Sequence, residues 1–537
     1  MNSDYLKKTA KYGHQLLTQP LIKWRYFLPL IVLLSMIFWA MGIEESQSQQ
    51  SQLMNQSQDT TKAYLSDSVR SLEPGFFGTN NNALRVDDWS NPDLVAAIDR
   101  LNPSKIRFPG GTVSNYWDWQ HGGLIRAFRE PGRPDFFRSF SRQDRAYTAS
   151  TLGEFARGLE LTNTEPVFVL NMSTSDLESQ LEMLRVARDL GLPIKHIELG
   201  NELYLDISDN RDVFPQPRDY ADKSRIWISA IKQEFPTAKI GVVGVVPDPH
   251  KPARLKDWNQ SLIPQTLSKA DAVVLHIYSG HGLGEKAPKI PSYPFFTPKE
   301  TRKILGQPFI EWQKTRSSPQ FAILPKDKQI WITEYNLFEN IFGKKNKGKQ
   351  PKIAGSWSHG LYAVTMSMLF LSDPRVEFIC NHQLVGYFYF ASILPQADSF
   401  VDPATKLPLA QPYALSAAGT ALSMFGDALD GMEQAVQIAF DNNYPTMGLK
   451  QFQYPTLYGW MFANHQQKKS LILNLSDRTR KIELSSLYKK NAYYETIFAL
   501  PRDLITQPDS LKRITRISNG TASLPPYSVT QISNNRL

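Results

Sequence analysis

Two apolar runs in this chain lead into a glutamate. HIELGNE, residues 196–202, places Ile197 and Leu199 in strand-like phase and closes on Gly200-Asn201-Glu202. QIWITEYN, residues 329–336, carries Glu334 followed by Tyr335 and Asn336. Two carboxyl groups brought to one pocket can cleave a glycosidic bond. One stays protonated and donates to the leaving oxygen; the other is ionised and attacks the anomeric carbon. Their environments must differ, so that one pKa is raised and the other lowered. An arginine and a tyrosine beside the nucleophile would keep it charged, and Arg107 and Tyr278 are the candidates. The bland alternative is a pair of solvated loop carboxylates, and their occurrence as a set weighs against it.

The elements that would carry these residues alternate. Apolar strand-like runs read at 75–80, 104–111, 166–171, 194–202, 239–246, 271–278, 329–336 and 375–390. Helical spacing reads near 92–101, 148–161, 175–190, 218–235, 356–372 and 412–426. Eight strands separated by helices imply an α/β fold, a (β/α)8 TIM barrel, over residues 73–428. Near-continuous apolar strands suit a parallel sheet covered on both faces. A doubly wound open sheet is the alternative, and no GxGxxG follows a strand. In a barrel, residues at the C-terminal strand ends form the site, which collects Arg107, Asn201, Glu202, His276, Tyr278 and Glu334 at one mouth. Residues 429–537 alternate in β fashion between turns and read as a C-terminal β-sandwich, with 59–72 a candidate further strand of it.

These motifs resemble those of clan A glycoside hydrolases. GNE after the fourth strand and Thr333-Glu334 on the seventh are similar to that clan's catalytic pair. RFPGGTVSNYWDW, 107–119, DAVVLHIY, 271–278, and LPPYSVT, 524–530, resemble segments of the α-L-arabinofuranosidase family; ELGNE is similar to both that family and the heparanase/β-glucuronidase family. ITEYNLFEN and a final barrel strand without a tryptophan depart from the arabinofuranosidase pattern. The resemblance implies Glu202 as acid/base and Glu334 as nucleophile of a retaining reaction. It implies Asn201 on the sugar hydroxyl beside the anomeric carbon, and Arg107 and Tyr278 on Glu334. No cofactor and no metal is implied.

Other residues admit two readings each. Trp117 and Trp119 are either core packing or a sugar-stacking platform. His276 reads as a hydrogen-bonding wall residue of the substrate site, with a base or ligand as the alternative; His382 is treated likewise. Glu198 reads as an interior charge partnered by a basic residue such as Arg107. Six arginines in 126–145 and five lysines in 344–352 are either solvated or the rim of a cleft for an anionic, uronate-containing glycan.

The 537 residues carry a net charge of +9. About +4 belongs to the first 25 residues, where Lys7, Lys8, Lys11, Lys23 and Arg25 face Asp4. The balance is too mild for a nucleic-acid binder. The single cysteine, Cys380, excludes an internal disulfide and a multi-cysteine metal site, and its apolar run reads as a buried thiol. Residues 27–43, FLPLIVLLSMIFWAMGI, carry no charge and follow the basic tail 1–26. They read as an N-terminal transmembrane helix with the N-terminus cytoplasmic, a signal peptide being the alternative. Residues 44–58 read as a polar linker, which places the body outside the cytoplasm. The expected partners are the membrane and an oligo- or polysaccharide; a non-catalytic glycan-binding scaffold is the competing class, and the oligomeric state is left open.

Overall fold

The computed structural model describes residues 60–535, apart from 87, 126–149, 247–256, 263, 280–297, 338–352, 354, 387–390, 395–411, 442–446, 450–451, 490–491, 504 and 506–510. The tail, apolar segment and linker (1–58), and both basic stretches, lie outside the described residues. Among the described residues no helix is long and apolar enough to cross a membrane.

Eight parallel strands close a barrel. In chain order they are Phe77–Asn80, Lys105–Phe108, Glu165–Leu170, His196–Leu199, Lys239–Val243, Ala272–Ser279, Gln329–Leu337 and Val376–His382, and the first pairs with the eighth. Alternation explains why. Ile106, Phe108, Ile197, Leu199, Val273, Leu275, Ile330 and Ile332 face outward into the large apolar cluster. Val167, Ala272, Val274, Trp331, Phe378 and Cys380 form a separate cluster, the apolar plug of the barrel interior. Cys380 is buried there, and its burial pushes the thiol up.

The helices start on local signals. Asn91 caps Pro92–Leu101, which opens on proline. Thr151 and Glu154 form a reciprocal capping box on Leu152–Thr162. Helix Trp357–Phe370 is buried on every side. It packs on helix Ala417–Leu429 and donates from Trp357 Nε1 to the Tyr527 carbonyl, 2.5 Å. This helix lies between barrel and second sheet, which is why its sequence has no polar face.

Among the described residues the second sheet has nine strands. Thr61–Ser71 is its pivot, antiparallel to Gln434–Phe440 and parallel to Arg480–Glu483. Residues from both arms, including Ala63, Ile438, Ile472, Ile482, Leu524 and Ile532, share one apolar cluster, so the sheet folds over itself as two layers. Arg70 on the pivot donates to the carbonyls of Leu371 and Asp373 at 3.0 and 2.9 Å, and to that of Val376, and so ties this sheet to the barrel.

Two boundaries differ from the sequence reading. The run 375–390 reads as one strand, yet the strand stops at His382; the Leu384 N–H turns to the Asn80 carbonyl, 2.9 Å. The fourth strand stops at Leu199, so Glu202 sits in the turn beyond it with a φ of 45°. Few non-glycine residues hold that conformation, and it is found where a turn is fixed by its surroundings.

Candidate active site

Strand register aims the central carboxylate. Ile332 pairs with Leu275, and Glu334 pairs with His276. Thr333 is therefore an extra residue, a bulge. Without it, Glu334 would fall out of phase with Trp331 and point away from the barrel axis. With it, Glu334 joins the inward set and Thr333 Oγ1 stands 3.2 Å from His276 Nε2.

Arg107 organises the floor of the site and is fully buried. Its Nε and Nη2 donate to Glu198 Oε2 at 2.9 and 2.8 Å. Nη1 donates to Glu334 Oε1 at 2.8 Å, to Asn80 Oδ1 at 3.0 Å and to the Gly110 carbonyl at 3.1 Å. Nη2 also donates to Asn201 Oδ1 at 2.9 Å. Burial alone would lower the guanidinium pKa; Glu198 and Glu334 outweigh it and raise it. The planar fork is what a lysine could not reproduce here.

Glu334 is 5% exposed. Its Oε1 accepts from Arg107 and from Asn80 Nδ2, 3.1 Å, and its Oε2 accepts from Tyr278 Oη at 2.6 Å. Burial would raise this carboxyl. His276, Arg107 and the Tyr278 hydroxyl more than offset it, and the group is held well below the usual carboxylate range. Burial holds His382 itself below the usual imidazole range, so Arg107 is the permanent cation of the set.

Glu202 differs. Its side chain is 20% exposed, and its Oε1 accepts from Tyr204 Oη at 2.9 Å and faces His276 Nδ1 at 3.0 Å. His276 Nδ1 is also 3.6 Å from Glu334 Oε2. Burial opposes charge on this imidazole, but the two carboxylates raise its pKa. One ligand atom each of Glu202, His276 and Glu334 lies within 4.8 Å of the others, a spacing that could also hold a cation. Arg107 already supplies positive charge at Glu334, and the reading below needs no metal.

The glycines of RFPGG have a spatial reason. A Cβ on Gly111 would stand 2.8 Å from Glu334 Oε1. Gly110 has a φ of 134°, and a Cβ there would stand 2.1 Å from the Asn81 carbonyl oxygen. The aromatic end of the same motif behaves otherwise. Trp117 is 3% exposed and packs edge-on against Phe108, and Trp119 is half-buried with its Nε1 donating to Ser179 Oγ at 3.2 Å. Trp117 is thus packed as core against Phe108, the first of its two readings.

The structure brings together Arg107, Asn201, Glu202, His276, Tyr278 and Glu334. The sequence reading missed three contributors. Asn80 bonds Glu334 and Arg107. Tyr204 holds Glu202. Asn115 clamps Asn201, its Nδ2 donating to the Asn201 carbonyl at 2.8 Å while its Oδ1 accepts from the Asn201 N–H at 3.1 Å. Asn80 ends the first barrel strand, so the strand-end rule that found the others would have found it.

A closed parallel barrel with a two-layered sheet, and two glutamates meeting at the C-terminal mouth, place this chain among proteins that resemble clan A glycoside hydrolases. No family model matches the chain. It is 26% identical over 179 residues to a probable α-L-arabinofuranosidase C of Aspergillus clavatus, covering 30% of this chain and 34% of that protein. A counterpart from Aspergillus niger is 22% identical over 359 residues, 61% of this chain and 66% of that one. The chain thus spans about a third of the length of the first of these relatives. Among solved structures, the GH51 arabinofuranosidase from Xanthomonas axonopodis pv. citri superposes with a TM-score of 0.65 at 17% identity, over 88% of this chain and 99% of that one. The family 51 α-L-arabinofuranosidase from Bifidobacterium longum gives 0.64 at 16%, over 89% and 100%. These likenesses show the fold.

Proposed function

We propose that this chain is a retaining glycoside hydrolase with Glu334 as nucleophile and Glu202 as acid/base. The observation that carries the reading is the approach of the two carboxyl groups, whose nearest ligand atoms lie within 4.8 Å. Retaining enzymes hold theirs about 5–5.5 Å apart, and inverting enzymes leave room for a water between. The environments support the division of labour. Glu334 is held ionised by Arg107 and Tyr278, as a nucleophile must be. Glu202, more exposed and beyond Arg107's reach, suits a group that gives and takes a proton.

In the first step a Glu334 oxygen bonds to the anomeric carbon while Glu202 gives its proton to the departing oxygen. In the second, Glu202 takes a proton from water, whose oxygen displaces Glu334. Asn201 supports this chemistry: Arg107 and Asn115 fix its orientation, and its Nδ2, without a partner among the described residues, is a donor for a sugar hydroxyl.

The substrate we infer is an extracytoplasmic polysaccharide, anionic and uronate-containing, which the arginine- and lysine-rich stretches 126–145 and 344–352 would attract. The apolar segment 27–43 would anchor the chain, with its body outside the cytoplasm. The arabinofuranosidase names of the relatives make arabinofuranosides the first neutral substrates to try. Hydrolysis is to be screened on aryl arabinofuranosides, aryl glucuronides and acidic polysaccharides. Turnover that disappears in both Glu202→Gln and Glu334→Gln supports the reading; normal turnover in either purified variant contradicts it.

A further inference from the structure

The hydrogen bonds around Asn80 settle more than its own orientation. Arg107 Nη1 is a donor without acceptor capacity, so the Asn80 atom it meets at 3.0 Å is the oxygen. Asn80 Nδ2 then faces the carboxylate Oε1 of Glu334 at 3.1 Å and His382 Nδ1 at 2.5 Å. Both amide hydrogens are committed, one to each. His382 Nδ1 must therefore accept, and the neutral imidazole carries its proton on Nε2. The backbone at this corner is fixed too: Asn336 Nδ2 donates to the His382 carbonyl, and Asn336 Oδ1 meets His359 Nε2 at 2.7 Å.

We propose that Asn80 and His382 are a paired positioning device for the reaction at Glu334, with His382 Nδ1 serving the pair as a neutral acceptor. Arg107 Nη1 already favours the amide orientation that turns NH2 to Glu334. The lone pair on His382 Nδ1 reinforces it, because the rotated amide would set oxygen against Nδ1 as well as NH2 against Arg107. The amide thus delivers a donor to Oε1, the oxygen Arg107 also holds. Oε2 is left on the side of Tyr278, His276 and His382 Nδ1, 2.6, 3.6 and 3.7 Å away, and facing Glu202 across His276. It is the oxygen presented to the anomeric carbon. Neither residue lies in a motif that carries the family resemblance. The inference rests on the glycosidase reading above, but its tautomer does not.

The test has two independent arms. In the first, long-range proton–nitrogen spectra of protein labelled with 15N-histidine are recorded, and the His382 signals are those lost in His382→Asn. A neutral ring protonated on Nε2, becoming a tautomer mixture in Asn80→Ala, is expected; protonation on Nδ1 in the wild-type protein overturns the proposal whatever the enzyme hydrolyses. In the second, kinetics are compared once loss of turnover in Glu334→Gln has established the activity. His382→Leu should lower kcat about 10- to 100-fold with little change in KM. His382→Asn, which keeps an acceptor near Nδ1, should recover most of that loss. The double variant Asn80→Ala/His382→Leu should be no worse than the weaker single variant, because the two act as one unit. Multiplying effects, or a His382→Asn as slow as His382→Leu, would overturn the pairing while leaving the roles of Glu202 and Glu334 intact.

Discussion

The two ends of the barrel each hold a buried glutamate released from strand alternation by a bulge, and they use it in opposite ways. At the C-terminal mouth the extra residue is Thr333, and it turns Glu334 inward. At the opposite end the extra residue is Glu377 itself, because Val376 pairs with Ile330 and Phe378 with Trp331. Glu377 is paired off by its partners. Trp331 Nε1 donates to Oε2 at 2.8 Å, Lys239 pairs with Oε1, and His196 Nε2 lies 3.5 Å from Oε1. Glu334 meets a cation as well, yet it also faces Glu202. The floor pairs its charges off; the mouth brings a second carboxyl group to the first. Between them lies the apolar plug of Val167, Val274, Trp331, Phe378 and Cys380, which keeps the two clusters apart. The contrast teaches that burial and ionisation alone do not mark a catalytic acid. What marks it is a second carboxyl group held close by at the C-terminal mouth.

The comparison can be broken first at Arg107. Arg107→Lys removes the fork that holds Glu198, Glu334 and Asn201 together. Breaking a buried charge set costs about 3–5 kcal/mol of stability. Activity should fall by at least about 1000-fold, because nucleophile and sugar contact lose their positions together. Melting and kinetics on the same preparation check both. Next is Tyr278→Phe, which deletes the 2.6 Å hydrogen bond to Glu334 Oε2. A charge-assisted bond of this kind contributes about 1.5–3 kcal/mol. A fall in kcat of roughly 10- to 100-fold follows, together with a lower melting temperature, because buried Glu334 loses a donor.

Glu377→Gln probes the other end. It leaves Lys239 and His196 without their carboxylate and should destabilise by roughly 3 kcal/mol, the low end for a buried pair, since the Lys239 side chain is 42% exposed. Its kcat should match wild type. A large kcat loss there would erase the distinction between the two ends. The smallest effect is in pH. Burial would raise Glu377, but its bonds to His196, Lys239 and Trp331 outweigh it and hold it at about 2. A depressed carboxylate contributes stability that is complete above the unfolded value of about 4.3 and is lost as pH falls toward 2. The melting temperature of wild type should therefore drop between about pH 4 and pH 2, and Glu377→Gln should flatten that drop.

Much of the barrel was legible because parallel strands covered on both faces write themselves as apolar runs, and helices between them carry their own caps, as Asn91 and Thr151 do. Arg107, Glu202, His276, Tyr278 and Glu334 were legible for one reason: each lies in the C-terminal half of a strand or just beyond it. The rest depended on partners distant in the chain. The Thr333 bulge is defined by pairing to the sixth strand, so nothing in ITEYN announces it. Glu377, His196 and Lys239 come from three strand starts and meet only when the barrel closes. Trp117 stayed open in the sequence because an aromatic in a site motif reads the same whether its ring faces a sugar or Phe108. The eighth strand looked longer than it is because QLV continues the apolar run while its backbone turns to Asn80.

The central claim is that Glu334 forms the covalent bond to the sugar. The direct measurement is trapping with a 2-deoxy-2-fluoro glycosyl fluoride matched to whichever aryl glycoside is turned over, followed by peptide mapping. The label should sit on Glu334 at one per chain, accumulate in wild type and be absent from Glu334→Gln. A label on Glu202 or any other residue, or steady turnover of the reagent with no adduct at all, would contradict it.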